Sequence, residues 1–197
     1  MTRLPHYAAA LALAAAVLAG CASDPEPAAA PATSEPAPTS AAASPTPSAA
    51  SPSPTVNPDT PLPFGKGIVT GGGYVTATVY AYRHNVAKSA PRPDEQPGFV
   101  WGAVDVKVCA NKDITVSSVG VSNGPWALVY ADDTTIGASQ TGYDAFPKPE
   151  YPWTEKALAP GRCVRGWITF PVPGKTRPAF VEYAPEGEQV TPRWAVK

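Results

Sequence analysis

Proline and glycine interrupt this chain so often that no stretch keeps a helical period for more than two turns. Its 26 prolines and 16 glycines stand between short runs in which apolar and polar residues alternate. A chain of this kind builds a core by pairing strands. Turn signals about every eight to twelve residues predict an antiparallel β-sandwich. The clearest strand lies in Leu158–Pro173, which opens on a Pro160-Gly161 turn and stops at prolines that cannot continue a ladder. Val164, Ile168 and Phe170 share one face there, with Gly166 between them. Cys163, Arg165, Trp167 and Thr169 take the other.

The same alternation predicts further strands. Tyr74–Tyr82 places Val75, Ala77, Val79 and Ala81 inward and Tyr74, Thr76, Thr78, Tyr80 and Tyr82 outward. Phe99–Ala110 carries Val100, Val104, Val106 and Val108 in phase. Ile114–Val121, Trp126–Tyr130, Thr134–Ser139, Ala179–Tyr183 and Arg193–Val196 complete the set, with turns at Asn111-Lys112-Asp113, Asn123-Gly124-Pro125 and Asp132-Asp133. Lys88–Gly98 reads as a loop, and Ala145–Pro160 has little periodicity.

The globular part begins where composition shifts, so the chain divides into residues 1–20, 21–63 and 64–197. The first segment has Arg3 ahead of an apolar run, Ala8–Leu18, that is too short to span a bilayer and suits a signal peptide. It ends in Leu18-Ala19-Gly20-Cys21, which resembles the bacterial lipobox, in which the cysteine thiol takes the lipid. The alternative is an ordinary secretory signal followed by a chance cysteine. From Ala22 to Pro63 the chain is almost entirely Ala, Pro, Ser and Thr, and its only charges are Asp24, Glu26, Glu35 and Asp59. Such a composition predicts a disordered, partly polyproline tether with a reach on the order of 130 Å. The expected location is the outer face of the cytoplasmic membrane, anchored through lipid on Cys21 and projecting into the cell wall.

Three cysteines are an odd number for an exported chain. With Cys21 acylated, Cys109 and Cys163 remain as a pair in an oxidising compartment, each opposite the apolar face of its strand. They predict a structural disulfide. A redox-active pair would favour Cys-x-x-Cys spacing, which is absent.

Other chemistry finds little support. The globular part keeps 14 of the 15 Lys/Arg and 12 of the 16 Asp/Glu, without a basic cluster, so nucleic acid is not expected as a partner. His84 is its single histidine and reads as a solvated side chain at the end of a strand, too little for a metal or catalytic triad. Asp132, Asp133 and Asp144 lack a calcium-loop pattern. Asp105, Glu150 and Glu155 leave a paired-carboxylate hydrolase as the third-ranked reading. No catalytic residue, metal or cofactor is expected. What stands out is Gly142–Trp153, where Tyr143, Phe146, Tyr151 and Trp153 alternate with prolines. A proline-stiffened aromatic loop fits a binding surface for a protein or a cell-wall glycan. The competing reading folds it back over the sandwich edge, with its aromatics in a satellite core.

Trp126–Asp133, Leu158-Ala-Pro-Gly, Gly166–Pro173 and Val181-Glu-Tyr together resemble a telokin-like, immunoglobulin-fold domain of unknown function found in Gram-positive lipoproteins. Leu158, Pro160, Gly161, Gly166, Phe170 and Pro173 stand at that family's signature positions, over a similarity running from Tyr74 to Tyr183. The cysteine pair and the Ala/Pro-rich tether resemble actinobacterial members. The implied fold is also similar to that of a small immunogenic protein secreted by mycobacteria. The resemblance implies an immunoglobulin-like sandwich and a non-enzymatic interaction module, and supplies no catalytic motif.

Overall fold

The computed structural model describes residues 60–93, 97–188 and 191–197. The expected signal peptide, Cys21 and the expected tether as far as residue 59 lie outside the described residues. The strands are β1 (Gly67–Thr70), β2 (Val75–Val86), β3 (Phe99–Ala110), β4 (Val119–Val121), β5 (Trp126–Val129), β6 (Thr135–Gly137), β7 (Lys156–Leu158), β8 (Cys163–Pro173), β9 (Phe180–Tyr183) and β10 (Arg193–Ala195). They form two four-stranded antiparallel sheets, β1-β2-β3-β8 and β10-β9-β5-β6, with β4 and β7 paired as a separate ribbon. No α-helix occurs among the described residues. The architecture is an immunoglobulin-like antiparallel sandwich.

One core joins the two sheets. Val104, Val106 and Val108 of β3 and Ile168, Phe170 and Val172 of β8 meet Trp126, Leu128, Val181 and Trp194 from the facing sheet, all essentially buried. The aromatic centre is Trp126, whose ring lies 4.4 Å from Tyr183, 6.0 Å from Trp194 and 6.4 Å from Tyr151. Each such ring removes a large apolar area from water. Leu62 bridges Trp194, so the sandwich takes in two residues before the composition shift at Phe64.

The alternation in β8 is as the sequence predicts, and β2 departs from it. Val79 pairs with Val106 and Ala81 with Asp105, so Tyr80 is an extra residue in a bulge. The phase then flips, and Tyr82 turns into the core at 8% exposure rather than outward. Gly102 leaves the room it needs, since a Cβ there would lie 3.1 Å from the Tyr82 hydroxyl. A second irregularity between Arg83 and Val86, with Asn85 at φ 55°, lets the strand continue past His84. His84 is therefore not the solvated side chain expected. It is half-buried, with Nδ1 2.8 Å from the Tyr82 hydroxyl and Nε2 3.1 Å from the Gly174 carbonyl.

The Cys109–Cys163 disulfide joins β3 to β8 at directly opposed positions, on the face away from the core. It therefore staples neighbours within one sheet rather than linking the two sheets.

Candidate functional site

The aromatic loop after β6 is held to β8 by backbone hydrogen bonds. Ser139 N donates to Thr169 O at 2.8 Å, Tyr151 N to Trp167 O at 2.9 Å, and Trp167 N to Pro149 O at 2.9 Å. These bonds pair the outer edge of β8, which would otherwise present unsatisfied groups to a second chain. The approach is close because residue 166 is glycine: a Cβ there would stand 2.5 Å from Tyr151 N and 2.6 Å from Glu150 C.

This covering decides the fate of the four aromatics. Tyr151 is 3% exposed and packs edge-on against Trp126 in the main core. Phe146, also 3% exposed, meets Trp101 edge-on at 4.9 Å and Tyr143 at 5.3 Å. Tyr143 is half-buried, and Trp101 anchors this satellite cluster with Nε1 donating to Pro91 O at 2.7 Å. Only Trp153 stands out, at 55%. Of the two readings of the loop, Phe146 and Tyr151 follow the one that folds it back over the sandwich edge, and a binding surface made of all four aromatics is not exposed. Phe146→Ala is expected to cost about 3 kcal/mol, as for other buried aromatics, and Trp153→Ala less than about 0.5 kcal/mol. Urea denaturation of the two variants measures the difference.

Beside the loop, the outer face of β2-β3-β8 carries stacked cations. The Arg83 guanidinium lies 4.7 Å from the Trp167 ring centroid and that of Arg165 lies 4.1 Å from Tyr80. Arg165 also grips Asp105 with two bonds, at 3.0 and 2.7 Å. Glu182 is paired with Arg193 and Glu150 with Lys148. Glu155 lies against Gly120. Among the described residues no three His, Cys, Asp or Glu side chains gather as a metal site.

Concave surface lies at the two ends of the sandwich. At the end where β2 begins, Tyr74, Val116, Val119, Tyr183 and Pro185 line a cleft of about 340 Å³, with Tyr74 and Val116 partly exposed. Burial, reinforced by the Glu188 carboxylate, pushes the Tyr183 hydroxyl up to about 12. At the opposite end, the β5–β6 turn and the β8–β9 connection enclose a cleft of about 430 Å³. Tyr130, Ile136 and Pro173 supply its walls, and Thr134, Thr176 and Arg177 its rim. The turn is set by Asp133 at φ 62° and by Asp132 Oδ1, which accepts from Thr134 N at 3.1 Å. That hydrogen bond holds the Asp132 carboxyl below the usual range.

Tyr130 is 5% exposed, and its buried hydroxyl has no hydrogen-bond partner among the described residues. Burial pushes it up to about 12. Tyr82 is raised as well, by burial and then by Tyr130, with the Arg177 guanidinium above its ring opposing the shift. Both phenols therefore stay neutral at physiological pH. Neither Tyr130 nor Arg177 stands out in the sequence, where Tyr130 closes the expected strand Trp126–Tyr130 and Arg177 belongs to no expected element. The available signal was topological: pairing β5 with β9 brings the Asp132-Asp133 turn and the Pro173-Gly174 turn to the same end.

No family model matches the chain, and no curated protein matches it. Among solved structures, it is similar to MPT63, a secreted protein from Mycobacterium tuberculosis, at 17% identity over 70% of this chain and 98% of that one, with a TM-score of 0.49. It is also similar to the yjhA protein from Bacillus subtilis, at 13% identity over 68% of this chain and 98% of that one, with a TM-score of 0.47.

Proposed function

We propose that this chain is an extracytoplasmic lipoprotein that presents a non-enzymatic binding module on a tether, anchored through Cys21 to the outer face of the cytoplasmic membrane. The observation that carries this reading is the pairing of Cys109 with Cys163 on the solvent side of the sheet. A disulfide so placed suits an oxidising compartment, and it leaves Cys21, behind Leu18-Ala19-Gly20, as the one remaining cysteine. The absence of chemistry in the reading is supported by the carboxylates: Asp105, Glu150 and Glu182 are each matched with a cation. None of them lines either end cleft.

The anchor is tested in cells by Cys21→Ala. The protein is expected to lose the mass of the attached lipid and to leave the membrane fraction. Retention at unchanged mass would sink the anchored reading.

A further inference from the structure

The geometry points to the cleft lined by Tyr74, Val116, Val119, Tyr183 and Pro185 as the docking site of this chain's own residues 52–56, Pro-Ser-Pro-Thr-Val, with the Val56 side chain seated between its walls. This goes beyond the reading of the domain as a tethered module, and rests neither on the anchor nor on an external ligand.

Strand register places the segment. Leu62 bridges Trp194 in parallel and Trp194 pairs with Val181, so Thr60 stands level with Pro192 and Tyr183. Tyr183 N donates to Pro192 O at 3.1 Å, which fixes that level. The chain before residue 60 therefore departs from the end of the sandwich that carries the cleft. Two strand spacings, about 10 Å, separate Thr60 from Tyr183. Asn57-Pro58-Asp59 stands just ahead of that exit and is a turn signal, so residues 52–56 can double back over the ends of β10 and β9. In polyproline II they cover about 15 Å, which spans that gap.

The chemistry of the two partners matches. Tyr74 and Val116 are 39% and 40% exposed, an open apolar rim on a cleft of about 340 Å³. Val56 is the only Val, Leu, Ile, Met or aromatic residue between Cys21 and Leu62, and it stands within reach of that rim. Its side chain leaves water by entering the cleft. The rings of Pro52 and Pro54 can pack against Tyr74, and a polyproline backbone, which has no internal hydrogen bonds, offers carbonyls to the Tyr74 hydroxyl. Ordering costs little, because proline already restricts the segment and its attachment makes the docking intramolecular. No charge opposes it. Residues 51–58 are uncharged, and the Glu188 carboxylate beside the cleft is taken by Thr70 Oγ1 at 2.8 Å and by Gly71 N.

The test reads backbone order by NMR relaxation in the full chain carrying Cys21→Ser, so that no detergent competes. The amides of Thr55 and Val56 are expected to show order parameters near about 0.85, as in the strands, and that of Ser40 below about 0.6. Val56→Asp lies ahead of the sandwich, so it tests the contact without touching the core. It should drop Thr55 below about 0.6 and shift the amide resonances of Tyr74, Val119 and Gly120, leaving those of Thr134 and Ile136 at the other end in place. Val116→Asp, in the cleft, should release Thr55 and Val56 in the same way, and Thr135→Asp, exposed on β6, should not. The proposal is overturned if Thr55 and Val56 move like Ser40 in the parent, if Val56→Asp shifts no cleft resonance, if Val116→Asp leaves the segment ordered, or if Thr135→Asp releases it equally. Order that fades on dilution would also overturn it, since the occupant would then come from a second copy. None of these outcomes bears on the membrane partition of Cys21→Ala, so the two readings can fail separately.

Discussion

Gly166→Ala is expected to destabilise the sandwich by about 4 kcal/mol, at the upper end of overpacking effects, because the added methyl meets backbone rather than a side chain that could turn aside. The Cβ would sit 2.5 Å from Tyr151 N, 2.6 Å from Glu150 C and 2.8 Å from Glu150 O. Relief requires residues 149–151 to lift off β8. That movement breaks two hydrogen bonds to Trp167 and draws the Tyr151 ring away from Trp126. It also opens the β8 edge, so the variant should self-associate more readily than the parent. Gly137 provides the control, since nothing lies within 4 Å of where its Cβ would be and its φ is ordinary. Gly137→Ala should stay within about 0.5 kcal/mol of the parent. Equal urea midpoints for the two variants would show that the loop is not seated on β8 as described.

The same glycine marks where the sequence was legible and where it was not. β3 and β8 are long enough to show their phase several times over, and the structure reproduces their expected bounds from Phe99 to Ala110 and up to Pro173. β1 and β7 are four and three residues long, and so short a run has no measurable period. For the same reason Ile114–Val121 keeps only Val119–Val121 as strand. Tyr82 and His84 were misplaced because a bulge is a register event between two strands, and only the pairing of β2 with β3 reveals the extra residue at Tyr80. Phe146 and Tyr151 take the competing reading, folded back over the sandwich edge, for a related reason. Tyr, Phe and Trp between prolines look alike whether they face a ligand or a core, and the decisive residue, Gly166, lies on a different element. The end clefts are further still from a sequence signal, since each is assembled from turns that only the sheet topology brings together.

Replacing both cysteines of the staple, Cys109→Ala with Cys163→Ala, is expected to lower stability by about 4 kcal/mol. The magnitude follows from the chain entropy that a 54-residue separation returns to the unfolded state. Native contacts should change little, because the two residues already face each other at the end of the β3–β8 ladder, and the bond lies outside the core. The loss should therefore appear in the denaturation midpoint and leave the near-ultraviolet signal of the buried Trp126 and Trp194 intact below the transition. Reductant should reproduce the effect on the parent without denaturant, since Cys163 is exposed, and should do nothing to the double variant. The segment inside the closed loop contains β4, β5, β6, β7 and the whole aromatic loop, so it is the unfolded chain's freedom over β5, an inner strand of the facing sheet, and over the cover of the β8 edge that the bond restricts. A parent that keeps its midpoint in reductant would mean that strand pairing alone holds that register. The disulfide would then be a mark of the compartment rather than a support of the fold.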